Sequence, residues 1–352
     1  MKKKLLLIPL AVLLIASLVA CAAPEPAPAP ATTVTAEPHA PAVVIMRASA
    51  FGSIAYTIGA ALETLSAEHP WMRIKSIESP GGGSDIVQLF TRDDWSDSII
   101  CLSSLWDIYA STGIGGVVPE PSYPNAREMV RDLAIEASWR VFFVTLDPDI
   151  KTEQDLAGKR IGLGRIGQGA WGGLPTFGFE EVWPELGATL DYFGGPNDSA
   201  AALIDGKVDA AIMVALVSPD LSVVTETGPM INIIASGRDF YYVGFTEEGM
   251  AEYREAAPGW GDEAIMSAGT LTDQPEDFLT FAGVTTWSVL PDFPEELAYE
   301  WTKFYMSSSG ELPEYHSQLE AISTPEYVFQ GLNVDYLHPG AIRAYTEAGL
   351  LP

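Results

Sequence analysis

The sequence predicts an α/β fold of two doubly wound lobes joined by a hinge, with a ligand cleft between them. Three observations carry this. Strand-like apolar runs alternate with helical ones, which argues for a mostly parallel sheet with helices on both faces. Two such series follow one another, and about 310 residues beyond the N-terminal segment suffice for two lobes of ordinary size. Loops rich in Gly or Ser stand at strand ends, where open α/β sheets bind ligands.

The chain opens with Lys2, Lys3 and Lys4, then an apolar run from Leu5 to Leu18, too short for a comfortable membrane span. "LVAC" closes it and resembles a bacterial lipobox, in which Cys21 becomes the lipidated first residue; an ordinary signal peptide cut nearby is the alternative. Either way, the mature chain is expected outside the cytoplasm. Residues 1–20 are thus read as signal peptide and 21–41 as a Pro/Ala-rich semi-rigid tether.

The first lobe begins with residues 42–146. "AVVIMRA" (42–48) is a strand; 53–68 is a helix with Ile54, Ile58, Ala61, Leu62 and Leu65 at helical spacing. Strand 72–79, a Gly-rich turn into "GGGSDIVQLF", and strand 97–104 repeat the pattern. "NAREMVRDLAIEA" (125–137) reads as helix and 139–146 as strand. The second lobe spans 147–278. Thr152 and Asp155 form a capping pair for a short helix ended by Gly158. Strands 159–164 and 188–194 precede a helix with Asn197 or Asp198 as cap and Gly206 at its end. "VDAAIMVAL" (208–216) and "INIIASG" (231–237) read as strands. Residues 279–352 return to the first lobe with strand 281–290, helix 294–308 and C-terminal helices.

Composition excludes several functions. The formal charge is −28, and about −31 without the three leader lysines. Nucleic acid is excluded as a partner, because phosphate contacts need basic patches. His39, His69, His316 and His338 are scattered and no Cys/His spacing suggests a metal. Cys101 lies in the apolar "SIICL" and is read as an inert buried thiol. Gly162-x-Gly164-x-x-Gly167 matches a dinucleotide fingerprint, with Asp191 placed to take a ribose. Yet a chain outside the cytoplasm meets no nicotinamide pool, and Gly172, Gly173 and Pro175 spoil the helix that should follow. No cofactor is expected. With no Gly-x-Ser-x-Gly elbow or metal-type His pair, no enzyme is expected either.

Four loops are candidates for the cleft, each exposing backbone amides beside a helix start. The first supplies Arg47, Ser49, Phe51, Gly52, Ser53 and Tyr56; the second Gly82, Gly83 and Ser84. The third supplies Ser103, Ser104 and Trp106; the fourth Gly164, Arg165, Gly167, Gln168, Gly169 and Trp171. Trp71, Trp139 and Trp301 are read as lobe packing, Trp106 and Trp171 as aromatic walls of the cleft. Arg165 and Arg47 are candidates for an anionic group, since a guanidinium matches a carboxylate.

Six stretches, "GSIAYTIGAAL", "GGGSDIVQL", "DLAGKRIGLGRIGQG", "ALIDGKVDAAI", "SAGTL" and "LHPGAIRAYTEAGL", resemble the TAXI family of solute-binding proteins that serve TRAP transporters. The last, with its His-Pro-Gly-Ala signature, is the most specific. The resemblance implies a periplasmic-binding-protein-like fold of the second type, capture of a small carboxylate or amino acid (glutamate-like or a dicarboxylate) by cleft closure, and delivery to an ion-coupled permease. It sets Gly164, Gly167 and Gly169 in a carboxylate-cradling loop, with Gln168 where Ser is usual. The chain departs from the family at Gly52-Ser53, Ala55-Tyr56, Val87-Gln88 and Arg165, so no particular substrate carries over. A binding lobe for an ATP-driven importer or a membrane sensor is the alternative, with an extracytoplasmic enzyme behind it. Cys21→Ser is expected to leave the protein unprocessed or to release it into the soluble fraction on membrane fractionation. Unchanged retention with normal maturation counts against a lipidated Cys21.

Overall fold

Two strands are much longer than the others, and the rest of the sheet is built out from them. The computed structural model describes residues 40–51, 53–103, 126–257 and 261–352. Strands β4 (Arg131–Thr145) and β11 (Phe278–Val289) pair antiparallel. Beyond β11 lie β3 (Ser98–Ser103), β1 (Ala42–Arg47) and β2 (Met72–Ile77); beyond β4 lie β7 (Ala210–Val217), β5 (Arg160–Leu163) and β6 (Thr189–Tyr192). The order is β2-β1-β3-β11-β4-β7-β5-β6. Short strands β8 (Val224–Glu226), β9 (Tyr241–Val243) and β10 (Asp262–Met266) flank β7, β4 and β11 respectively. The β1–β2, β1–β3, β5–β6 and β5–β7 pairs are parallel. The result is an α/β fold whose two parallel series share one sheet.

Helices α1 (Ile54–Leu65) and α2 (Gly82–Thr91) belong to the first series. The second carries α3 (Leu174–Phe177), α4 (Pro196–Ile204), α5 (Gly228–Ala235) and α6 (Glu247–Ala256). Then come α7 (Glu295–Ser308), α8 (Leu312–Tyr315) and α9 (Pro339–Glu347). Among the described residues, no helix is long and apolar enough to cross a membrane.

The expected helix over 125–137 is a 3₁₀ turn, Ala126–Met129, followed by β4. Val130, Leu133, Ala134 and Ala137 mimic helical spacing because almost every residue of β4 is buried, which erases the period of two. Its second half shows why: Val141 and Phe143 enter one core, Phe142 and Val144 another. Most of the expected strand 231–237 is instead the second half of α5, which Thr227 and Pro229 open; Pro at the start of a helix is well tolerated there. The cap of α4 is Gly195 rather than Asn197 or Asp198, because Pro196 already sits in the first turn. Thr152 and Asp155 do form a capping box, on the 3₁₀ turn Glu153–Leu156.

Among the described residues, the first half of β4 has no second strand partner, and the C-terminal region supplies its hydrogen bonds instead. Ile135 N–H donates to the Val328 carbonyl at 2.8 Å, and His338 N–H donates to that of Asp132 at 3.0 Å. Tyr345 Oη donates to the Leu133 carbonyl at 2.8 Å, and Tyr305 Oη to Ile135 at 3.1 Å. Covering an edge in this way satisfies buried backbone groups.

The His-Pro-Gly-Ala signature has a structural explanation here. His338 Nδ1 accepts from Gly340 N–H at 3.1 Å, capping α9, so its proton sits on Nε2 and donates to the Phe293 carbonyl at 3.0 Å. Pro339 starts the helix. A Cβ on Gly340 would fall on the Glu295 carbonyl oxygen and 2.7 Å from Tyr299 N, so only glycine lets α9 approach α7 this closely. Gly340→Ala is expected to destabilise the protein by about 1–3 kcal/mol, the usual cost of overpacking, read as a lower urea midpoint. An unchanged midpoint would mean that the two helices separate freely.

Candidate functional site

Where β4 and β11 pass from one series to the other, their pairing slips. Ala137 faces Thr285 and Ile135 faces Thr286, which leaves Glu136 as an extra residue on β4. Such a bulge bends the strand and re-aims a side chain. Glu136, Ala137 and Trp139 from β4, Val214 and Leu216 from β7, and Thr285 from β11 line a cavity of about 610 Å³, within the usual size of small-molecule sites.

Loops from both series close around this cavity. In the first, Ser49 is held at φ 62°. Its N–H donates to Ser79 Oγ at 2.8 Å, and Ser79 Oγ donates to Asp85 Oδ2 at 2.6 Å, tying the β1 and β2 loops together. Burial pushes the Asp85 pKa up to about 7, against the opposing pull of Ser79. In the second series, Arg165 N–H donates to Gln168 Oε1 at 3.1 Å and Gly164 N–H to the Trp171 carbonyl at 2.9 Å. The chain then enters a wide π turn, Gly169–Gly173. A Cβ on Gly172 would collide with the Arg165 carbonyl, so the cradle depends on that glycine. The two loops nearly meet: a Cβ on Gly81, at φ 117°, would stand 3.1 Å from the Gly167 carbonyl.

Helix N-termini ring the cavity. α1 is capped by Ser53, whose Oγ accepts from Tyr56 N–H. α2, α4 and α5 have no side-chain cap, and Gly82 and Gly83, Gly195 to Asn197, and Thr227 to Pro229 line the cavity. Thr227 is engaged elsewhere, its hydroxyl donating to the Val214 carbonyl at 2.7 Å. Uncapped N-termini present N–H donors and a positive dipole end, which suits an anion. Arg165 lines the same space and its Nε donates to the Gly194 carbonyl. Glu136 is 2% exposed. Burial pushes its pKa up to about 8, partly offset by a hydrogen bond from Thr285, which itself accepts from Trp139 Nε1 at 3.1 Å.

Of the residues nominated by the sequence, Ser49, Phe51, Ser53, Gly82, Gly83, Arg165, Gln168, Gly169 and Trp171 line the cavity. Five others are displaced from its lining. Arg47 stacks on Trp95, 3.6 Å from the ring centroid, and its Nε donates to Ser98 Oγ at 3.0 Å. Tyr56 packs edge-on against Phe51 at 5.2 Å. Ser84 N–H is taken by the Gly81 carbonyl. Gly164 and Gly167 shape the loop without lining the cavity: a Cβ on Gly164 would meet Gln168 and Trp171, and one on Gly167 would face Ser84 and Pro80. Ser103 ends β3, while Gly52, Ser104 and Trp106 lie outside the described residues.

Several cavity residues carry no sequence motif. Trp139, read as packing, lines the cavity. His316 and Gln318 reach it from the C-terminal region, and Cys101, though buried, is also on its wall. Glu136 left one signal, an acid alone in an apolar run, which the helical reading of 125–137 hid. Asp191, set by the fingerprint against a ribose, is instead paired with Arg160 at 2.7 Å. Among the described residues, no group of three or more His, Cys, Asp or Glu is placed to hold a metal.

The family described as NMT1-like matches residues 46–349. No curated protein matches the chain. Among solved structures, a TctC solute binding protein from Polaromonas is 14% identical, with 89% of this chain and 96% of that one covered and a TM-score of 0.45. MatC from Rhodopseudomonas palustris with bound malate is 12% identical, with 89% and 98% covered and a TM-score of 0.48. A second R. palustris protein, with adipate, is 12% identical, with 87% and 92% covered and a TM-score of 0.49.

Trp139 and Trp171 make the cavity optically addressable. Intrinsic fluorescence is expected to change when the cavity fills, and Trp171→Phe to remove part of that change. A full response in a Trp139→Phe/Trp171→Phe double variant would show that the ligand lies elsewhere.

Proposed function

Because the chain belongs to the NMT1-like family, we propose that it is an extracytoplasmic solute-binding protein that captures a small carboxylate or amino acid. The observation that carries this reading is the cavity itself, in which uncapped helix N-termini and Arg165 surround an apolar lining. On a chain of net charge −28, an anion needs such a local concentration of donors to overcome the surrounding field.

In this reading the protein is of the TAXI type, anchored through a lipidated Cys21 and delivering its solute to an ion-coupled TRAP permease. The solute first meets the amides of one series and gains contacts from the other as the loops at Gly81 and Gly167 approach. Only that difference in affinity between open and closed forms drives closure. Binding, rather than turnover, is the function. Burial raises the pKa of the cavity thiol Cys101, with Glu136 and Asp85 adding to the shift, and a thiol kept protonated is a poor nucleophile.

A thermal-shift screen of small carboxylates and amino acids tests the reading, since a ligand of the folded state raises the melting temperature. The absence of any shift would sink it. With the best binder, Arg165→Ala is expected to cost about 1.5–3 kcal/mol of affinity, the worth of a hydrogen bond to a charged group. Arg165→Lys should restore only part, because an ammonium lacks the planar fork. Wild-type affinity by calorimetry in folded Arg165→Ala would return that side chain to the surface.

A further inference from the structure

We propose that Glu136 is a specificity-determining ligand contact, whose Oε1 donates a hydrogen bond to a second carboxylate on the bound solute. The proposal rests on the solute-binding reading of the cavity and names the ligand class as dicarboxylate.

Other buried acids of this chain have hydrogen-bond partners. Asp132 lies four residues earlier on the same strand and is equally buried. It is paired with Arg127 and accepts from Thr286 Oγ1 at 3.1 Å and Ser288 Oγ at 2.7 Å. Glu153 is also buried and accepts from Thr246 N–H at 2.7 Å and from the Thr246 hydroxyl. Glu136 differs. Its Oε1 is buried with no hydrogen-bond partner, it stands on the bulge, and it lines the cavity. Asp85 also has an unpartnered oxygen, but that residue is not part of the cavity wall. Buried polar atoms are nearly always bonded, so an unpartnered one on a residue of the cavity wall marks a place for a ligand atom.

The surroundings decide which atom. Glu136 acts on Cys101 on β3 and Tyr305 on α7, each with its pKa raised by burial and then by Glu136 itself. Besides Glu136 and Cys101, the charged or titratable groups on the cavity wall among the described residues are Arg165, Asp198 and His316, and none of these three contributes to the shift at Glu136. With a pKa of about 8, the side chain is a neutral acid at pH 7 and offers an O–H donor. The uncapped start of α2 at Gly82 and Gly83 shares the cavity wall. Its positive end favours a carboxylate beside Glu136 and disfavours an ammonium.

The two ligand chemistries differ in the sign of their pH dependence. An anion accepting from neutral Glu136 raises its pKa further. Affinity then stays level below pH 8 and falls by about tenfold per unit above it, with proton uptake on binding. An ammonium would do the reverse, with affinity rising towards pH 8 and a proton released.

The test is calorimetry on the purified protein between pH 6 and pH 9.5, in buffers of differing ionisation enthalpy. Succinate, malate and glutarate are compared with butyrate, which lacks a second carboxylate, and with glutamate. The expected result is tighter binding of at least one dicarboxylate than of butyrate, with loss of affinity and proton uptake above pH 8. Glu136→Gln should abolish both, so that it out-binds the wild type at pH 9.5; Glu136→Ala should erase the preference over butyrate. Proton release with affinity rising towards pH 8 would overturn the proposal, as would an unchanged pH profile in Glu136→Gln. If these probes bind with no dependence on Glu136, this inference alone fails; if none binds at any pH, the small-carboxylate reading fails and takes it along.

Discussion

Everything in this molecule depends on keeping one strand fully hydrogen-bonded while it serves two α/β series. β4 is 15 residues long; it pairs with β11 through its first half and with β7 through its second. A strand buried on both faces has no water to satisfy a stray backbone group. Over its first half, the missing strand is replaced by Val328, His338, Tyr305 and Tyr345. The aromatic rings that carry those hydroxyls are themselves core: Trp301 and Tyr305 stack at 5.1 Å, and Trp287 meets Trp301 at 6.4 Å. The C-terminal region therefore holds the crossing strand in place as well as packing against the first series.

That constraint creates the cavity. Strands that cross between two twisted series must bend, and the slips between Thr285 and Thr286 and between Trp287 and Ser288 take up the bend. The first of them turns Glu136 out of the ladder. Around the same point, parallel strands end and helices begin, so the positive ends of several helices converge. An acidic chain thus acquires a small region suited to anions without devoting many basic residues to it. Among the described residues of the cavity wall, Arg165 is the one lysine or arginine.

The physics that serves a dinucleotide phosphate also explains the false fingerprint at Gly162, Gly164 and Gly167. Glycines there permit close backbone approach whatever the anion. Gly164 is tight against Gln168 and Trp171, and Gly162 against Ser199 and Val208. Local spacing reports that closeness and carries no information about which guest receives the amides.

By itself the sequence determined the α/β alternation, most strand positions, and nine residues of the cavity wall, because turn glycines, caps and period-two runs are local signals. It also held the chemistry of the His-Pro-Gly-Ala turn, since a cap and a close helix contact need those residue types. The tertiary structure alone decided the rest. Whether 130–137 is helix or strand depended on burial of both faces, which no window of sequence contains. The Ile-rich run after Pro229 could pack as either element, and its helix start settled it. Arg47 looked like a ligand group until Trp95 and Ser98 were beside it, about 50 residues away along the chain. Glu136, finally, is one acid among 47 in sequence; only the slipped register of β4 against β11 sets it on the cavity wall with one oxygen buried and unpaired.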